Sequence, residues 1–156
     1  MPRKLPYRNL PQLLLRARES LLGHFRPLIT HFGLTEQQWR ILRALSEAGE
    51  LEPRELCEIC QILSPSLTGV LARMEAVGLV TRTRMEEDQR RVVVRPTPAA
   101  EEVVAELRPL ITAQYRLLEQ AYGRETIEEL YDIMDRFLAT DPGPIAQVKL
   151  PERTQG

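Results

Sequence analysis

The chain has 156 residues, a formal net charge of −1 and 28% charged residues, which suits one domain or one domain with an oligomerisation extension. A near-neutral charge argues against a protein that holds nucleic acid by overall positive charge alone. No apolar run approaches membrane-spanning length and no secretory core follows the N-terminal basic residues, so we expect a cytoplasmic protein without a membrane partner.

The first predicted helix covers most of residues 10–34 and carries two stripes. Leu10, Leu14 and Leu21 belong to an apolar stripe at helical spacing, and Pro27 predicts a kink. Another side of this helix carries a cation, a hydroxyl and two imidazoles. Successive members of this set are four or seven residues apart, so they share one face of a helix. These side chains are Arg16, Ser20, His24 and His31. Such a stripe suits either a bound anion or solvent, and both readings stay open at this point.

Two shorter helices are predicted between residues 35 and 61. Thr35 and Gln38 have the spacing of a capping box, and Trp39 has the position of a hydrophobic staple, so the second helix begins at this point. The third helix opens at Pro53, which is favourable at a first helical position. Its predicted inward side chains are Leu56, Ile59 and Cys60.

The segment 64–80 predicts a fourth helix that is suited to DNA. Ser64 is a predicted N-cap, Pro65 opens the first turn and Gly78 ends the helix. Its apolar face consists of Leu67, Val70, Leu71, Met74 and Val77. The opposite face consists of Ser66, Thr68, Gly69, Ala72 and Arg73. A solvent-exposed helix face usually carries Lys and Glu, so these small and hydrogen-bonding residues predict a close approach to a duplex.

Residues 80–85 and 91–95 predict two β-strands, joined by a polar turn over residues 86–90. Five basic side chains lie on or beside this hairpin: Arg82, Arg84, Arg90, Arg91 and Arg95. A helix followed by a basic hairpin is the pattern of a winged helix-turn-helix. We therefore predict a mainly α (α+β) fold with about six helices and a β-hairpin wing, in which residues 35–96 form the DNA-binding lobe.

The predicted helices outside this lobe, in residues 10–34 and 97–139, are too apolar for a lone winged helix. The simplest partner for their stripes is a second copy of the chain. A two-fold homodimer presents two recognition helices about 34–36 Å apart, which matches a pseudo-palindromic operator in double-stranded DNA. Residues 140–156 are rich in Pro, Gly and isolated polar residues and predict a flexible tail.

The chain resembles the MarR type of winged helix-turn-helix transcriptional regulators. The residues that carry this resemblance are the segment 33–42, the recognition segment 64–80, and 88–94, in which Asp88 and Arg90 match the D-x-R motif of the wing. The start at residues 5–11 and the segment 34–45 resemble the subgroup that represses homoprotocatechuate and hydroxyphenylacetate degradation operons. The resemblance implies a repressor of an aromatic-acid catabolic operon that a phenolic carboxylic acid releases from its operator.

Seven residues are predicted to contact DNA. We assign Ser66, Thr68 and Arg73 to the major groove, because hydroxyls and guanidinium groups bind base edges and phosphates there. Ser64 is predicted to cap the helix and to contact phosphate, and Arg84 and Arg91 are phosphate candidates. The resemblance implies that Arg90 enters the minor groove, and that Asp88 orients it. The alternative for each is an ordinary solvated side chain.

An effector site is predicted where a small aromatic acid would meet cationic and aromatic side chains. The polar stripe of the first helix, together with Trp39 and Arg43 one turn apart on the second, offers cations for a carboxylate and an indole for a ring. The candidate effector-binding residues are Arg16, Ser20, His24, His31, Trp39 and Arg43. The resemblance implies a pocket between the dimerisation helices and the DNA lobe. The alternative is that no ligand binds: the stripe is an exposed polar face of the helix, and Trp39 is only the hydrophobic staple of the second helix.

Three other readings remain open. Cys57 and Cys60 form one C-x-x-C, which fits small buried residues better than a zinc site because no second ligand pair is near; an oxidant sensor is the alternative. A helical protein-binding adaptor would fit the apolar terminal helices but leaves the basic wing unexplained. The sequence contains no paired acids, nucleophile beside a base or phosphate loop, so we expect no enzyme, no metal and no cofactor.

Overall fold

The computed structural model describes residues 5–152, and within them six helices accompany one antiparallel two-stranded sheet. In chain order the elements are α1 (Leu10–His31), α2 (Glu36–Ala48), α3 (Pro53–Cys60), α4 (Ser64–Ala76), β1 (Val80–Arg84), β2 (Val92–Pro96), α5 (Pro98–Tyr122) and α6 (Arg124–Ala139). This order confirms the predicted fold class, with α3 and α4 as the helix-turn-helix and the hairpin β1–β2 as the wing.

Local capping explains where several helices begin. The backbone N–H of Gln38 donates to Thr35 Oγ1 at 3.2 Å and the N–H of Thr35 donates to Gln38 Oε1 at 3.0 Å, so the predicted capping box of α2 is formed. Thr97 accepts from the N–H of Ala100 at 3.2 Å and donates to the carbonyl of Gly78 at 2.6 Å. The hydroxyl of Thr97 therefore caps α5 and ties its start to the end of α4.

The recognition helix begins at Ser64, so its N-cap lies one residue earlier than predicted. Leu63 is the N-cap of α4, its side chain cannot accept a hydrogen bond, and Ser64 is already helical. The prediction that Ser64 caps the helix is wrong. Gln61 occupies the left-handed region at φ 52° and the N–H of Ile62 donates to the carbonyl of Cys57, so the turn is complete before Ser64 is reached.

The core is centred on α2. Side chains from α1 to α5 and from the wing are fully buried, and the largest are Ile29, Ile41, Leu42, Leu45, Leu56, Leu67, Leu71, Met74, Val80, Val94 and Leu107. Two predicted inward residues are exposed: Ile59 at 58% and Val77 at 68%. Leu56 and Cys60 make the one buried stripe of the two-turn helix α3, and Ile59 lies off that stripe, while Val77 follows the end of α4.

The wing is wider than a two-stranded hairpin. β1 and β2 pair from Val80 opposite Pro96 to Arg84 opposite Val92. Leu51, in the connection between α2 and α3, adds an isolated bridge to Val94, with backbone hydrogen bonds of 3.1 and 2.8 Å. The sequence did not predict this third strand position.

The chain divides into two compact units, one ending at Tyr115 and one beginning at Arg116, so the boundary falls inside α5. The first unit contains α1 to α4, the wing and the first part of α5. In the second unit, α6 has no buried residue, and it exposes apolar side chains that include Tyr131, Phe137 and Leu138. Dimerisation through the terminal helices stays a prediction. Of the predicted tail, 140–152 contains no helix or strand, and 153–156 lie outside the described residues.

Candidate functional site

The outward face of α4 has the predicted character. Ser66, Thr68, Ala72 and Arg73 are exposed, while the opposite face of the helix is buried in the core. A Cβ placed on Gly69 would lie 3.4 Å from Nη1 of Arg73, so the guanidinium of Arg73 rests beside this glycine. The helix therefore presents hydroxyls and one cation on a thin surface, which suits contact with base edges in a major groove.

A cleft of about 330 Å³ separates the start of α3 from α4. Ser64, Thr68 and Arg82 line it together with Arg54, whose side chain is 89% exposed. The hydroxyl of Thr68 donates to the carbonyl of Ser64 at 3.1 Å, so its hydrogen is used within the helix. Arg54 was not among the predicted DNA contacts. Its position in the first turn of the helix before the recognition helix was the available signal.

The tip of the wing is arranged by Asp88. One carboxylate oxygen of Asp88 accepts from the backbone N–H of Arg90 at 3.0 Å, and its carbonyl accepts from the N–H of Arg91 at 3.0 Å. Arg84 donates to the carbonyl of Gln89 at 2.7 Å. Within the described residues the guanidinium of Arg90 has no ion pair. Asp88 thus shapes the turn from which the free side chain of Arg90 projects.

The other three wing arginines are bound to glutamates of the fold. Arg82 Nε donates to Glu75 at 2.8 Å, Arg91 Nε to Glu52 at 2.6 Å, and Arg95 Nε to Glu50 at 2.6 Å. The hydrogen bond from Arg82 lowers the pKa of Glu75, and desolvation acts in the opposite sense without outweighing it. The hydrogen bond that Arg91 donates to Glu52 raises the pKa of Arg91 above its ordinary value. The positive charge of each of these three arginines is therefore already compensated by a neighbouring glutamate.

A cavity of about 490 Å³ lies between α2 and the first part of α5. Its apolar surface comes from Trp39, Val104 and Ile111. Its polar lining consists of Arg43, Ser46, Glu47, Arg108, Thr112 and Tyr115. Two guanidinium groups beside an indole and a phenol are suited to an aromatic carboxylate.

Ion pairs and hydrogen bonds inside the cavity hold both arginines in place. Arg43 Nε donates to Glu47 at 3.2 Å, and Arg108 donates to the Ser46 hydroxyl at 3.1 Å. Burial by itself lowers the pKa of Arg43, but the hydrogen bond to Glu47, with a smaller contribution from Tyr115, raises it overall. Arg43 is therefore a permanent cation whose present carboxylate partner could be exchanged for that of a ligand.

A smaller cavity of about 200 Å³ shares Trp39, Arg43, Ile111 and Tyr115 with the first and extends toward α1. Its further lining residues are Arg18, Leu22, Phe25, Ile29, Glu36 and Arg40. The ring of Phe25 packs on that of Tyr115 with centroids 4.6 Å apart. This contact links the α1 side of the site to α5.

The structure brings together only part of the predicted effector site. Trp39 and Arg43 line both cavities, whereas the predicted stripe of α1 is exposed and lines neither. The exposed stripe is Arg16, Ser20, His24 and His31. The side of α1 that faces the smaller cavity begins at Arg18. Arg18 is two residues after Arg16, which places it about 200° around the helix from the exposed stripe. Sequence reasoning missed Arg18, Arg108 and Tyr115.

The two cysteines have different surroundings. Cys60 is buried, its thiol donates to the carbonyl of Arg40 at 3.6 Å, and burial raises its pKa, although nearby Arg40 acts in the opposite sense. Cys57 is half-buried at the edge of the α3–α4 cleft. Among residues 5–152 no group of three or more potential ligands could hold a metal ion. No helix in this range has both the length and the hydropathy to cross a membrane.

Comparison with known proteins agrees with this geometry. A sequence profile of the MarR family matches residues 32–91. The HTH-type transcriptional regulator FarR of Neisseria gonorrhoeae is 38% identical over 86% of this chain and 92% of its own. The homoprotocatechuate degradative operon repressor of Escherichia coli is 37% identical over 81% of this chain and 85% of its own.

A solved structure of NadR in complex with 4-hydroxyphenylacetate is 36% identical and covers 90% of this chain and all of that one, with a TM-score of 0.76. The matches extend over both the DNA-binding lobe and the helices outside it, and these relatives are transcriptional regulators. They confirm the resemblance that the recognition segment and the wing motif indicated. The chain is a DNA-binding transcriptional regulator and belongs to the MarR family.

Proposed function

We propose that this protein is a homodimeric repressor of an aromatic-acid catabolic operon and that a phenolic carboxylate releases it from its operator. The observation that carries the proposal is the cavity in which Arg43 and Arg108 stand beside Trp39 and Tyr115. The names of the relatives support the ligand class, since one represses a homoprotocatechuate operon and one binds 4-hydroxyphenylacetate.

In the proposed complex the ligand carboxylate binds the guanidinium of Arg43 in place of Glu47. Tyr115 lines the same cavity as Arg43, and in this proposal its phenol donates to the same carboxylate. The aromatic ring packs against Trp39, and the ligand hydroxyl finds a partner among Ser46, Thr112 and Arg108. A cavity of about 490 Å³ is within the range of ordinary small-molecule sites. The exposed stripe of α1 lies outside this site.

On DNA, α4 enters the major groove with Ser66, Thr68 and Arg73 toward the base edges. Arg90 enters the adjacent minor groove, where a narrow A·T-rich region attracts a free guanidinium. In this proposal Ser64, Arg84 and Arg54 contact phosphates. A second copy of the chain supplies the other half-site, in keeping with a pseudo-palindromic operator.

Release follows from the position of the ligand between α2 and α5. α2 packs against both α3 and α4, so a ligand that separates α2 from α5 changes how the helix-turn-helix is presented. A coupling free energy of about 1–3 kcal/mol between ligand and operator is enough for a useful response. The ligand therefore needs only a modest preference for the conformation that does not fit DNA.

Two titrations test the proposal, and Trp39 provides the first because it is the only tryptophan. We expect 4-hydroxyphenylacetate to change its fluorescence, whereas 4-hydroxyphenylacetamide, which keeps the ring and lacks the charge, does not. In the second, a fluorescent duplex from the promoter region of the protein's own locus is bound, and 4-hydroxyphenylacetate lowers the anisotropy. A protein that binds the duplex but responds to no phenolic acid would refute the effector part alone.

A further inference from the structure

The connection between α2 and α3 is joined to the wing at three consecutive residues. Glu50 accepts from Arg95 Nε at 2.6 Å, Leu51 exchanges backbone hydrogen bonds with Val94, and Glu52 accepts from Arg91 Nε at 2.6 Å. Leu51 is buried, so the two carboxylates flank an apolar anchor. We call residues 50–52 with their three partners the wing clamp.

The clamp adds a restraint to a wing that is otherwise held at its base by buried valines and by the ion pair of Arg82 with Glu75. Within residues 5–152 the sheet consists of β1 and β2, and a two-stranded hairpin is marginally stable alone. Residues 86–91 at its tip are all exposed. Val93 and Val94 are buried in the core, so the base of the wing is anchored while its charged outer residues need another restraint.

The clamp also distinguishes Arg91 from Arg90, its neighbour in sequence. The guanidinium of Arg91 already lies on a carboxylate, and a phosphate would have to displace Glu52 to bind it. The side chain of Arg90 has no such competitor among the described residues. The two adjacent arginines therefore differ: Arg91 is paired with a carboxylate of the fold, whereas the guanidinium of Arg90 is available to DNA.

We propose that Arg91 and Arg95 are positioning residues, which bind Glu52 and Glu50 and hold the wing at the angle from which Arg90 reaches DNA. Arg91 is then not the phosphate contact that the sequence predicted. This inference rests on DNA binding through the wing and is independent of the proposed effector. Its failure would leave the effector cavity untouched.

A charge swap separates positioning from phosphate contact. R91E alone should weaken operator binding about tenfold or more, because the introduced carboxylate and that of Glu52 then repel. Combining it with E52R restores the pair in reverse, and the double variant should return to within about threefold of the wild type. A carboxylate at position 91 cannot bind phosphate, so recovery in the double variant comes from the restored pair. A double variant that stays as weak as R91E would overturn the proposal.

The variant R90E with E52R is the matched control, because it has the same charges in nearly the same place. Arg90 is not part of the clamp, so we expect no recovery over R90E. Equal recovery in both doubles would mean that E52R only adds attraction to DNA, and would overturn the proposal. Binding to a scrambled duplex, measured in parallel, isolates the operator-specific part.

The salt dependence of operator affinity gives a second readout that does not depend on the swap. Replacing a phosphate-binding cation reduces the slope of log affinity against log salt by about one. Without the clamp the free wing is less often at the binding angle, but Arg90 still reaches DNA once the complex has formed. We therefore expect R91Q with E52Q to lose affinity and keep the wild-type slope, and R90Q to lose both affinity and slope. A reduced slope in R91Q with E52Q would contradict the proposal. Thermal melts establish that each variant is folded.

Discussion

Replacing Glu47 by Gln should strengthen the binding of a phenolic carboxylate, although it removes an ion pair from the protein. Glu47 holds Arg43 at 3.2 Å across one helical turn, and 54% of the Arg43 side chain and 68% of the Glu47 side chain are exposed. An exposed pair of this kind contributes about 0.2–1 kcal/mol. The ligand must break it, so its removal should raise affinity by roughly one and a half to five times.

Arg43→Gln should have the opposite and larger effect. A hydrogen bond to a charged group contributes about 1.5–3 kcal/mol, so losing the guanidinium should weaken the ligand by about one to two orders of magnitude. Titrating Trp39 fluorescence with 4-hydroxyphenylacetate measures both variants. Both should keep operator affinity in the absence of ligand, because neither residue lies on α4 or the wing.

Glu58→Gln is the matched control for Glu47→Gln. Glu58 also pairs with an arginine one turn away, at 3.5 Å from Arg54 on α3, but it lies outside the effector cavity. Its replacement should leave ligand affinity unchanged. If Glu47→Gln weakened the ligand as much as Arg43→Gln does, the carboxylate would not bind at Arg43, and the reasoning about exchange of partners would be wrong.

Three further expectations concern single residues. Arg90→Ala should cost about 1–3 kcal/mol of operator affinity in a binding titration, with an unchanged melting temperature because its side chain is unpaired within residues 5–152. The lowered pKa of Glu75 contributes stability above its ordinary value of 4.5 that is lost as the pH falls through the folded value, so the difference in melting temperature between wild type and Glu75→Gln should disappear in acid. Cys57 should react with iodoacetamide before Cys60 at pH 8, since burial raises the pKa of Cys60; an equally fast Cys60 would contradict its burial.

The sequence by itself determined the order of the elements and the face that α4 turns outward. Thr35 and Gln38 mark the start of α2 because a capping box needs only residues three apart, and the α4 face from Ser66 to Arg73 follows from helical period. Such signals are local, so no tertiary contact is needed to recognise them. The first residue of α4 was missed by one, because the turn before it depends on how Ile62 is buried.

Only the tertiary structure decided which side chains share a site. Arg108 and Tyr115 are about 70 residues from Trp39 in sequence, and they join it because α5 lines the cavity opposite α2 and Arg108 donates a hydrogen bond to Ser46 of α2. The side of α1 that faces the cavity is set by the burial of Phe25 and Ile29, which turns the predicted polar stripe outward. The wing clamp likewise joins residues about 40 apart. Helical spacing says which residues share a face, but only the packing of other elements decides what that face meets.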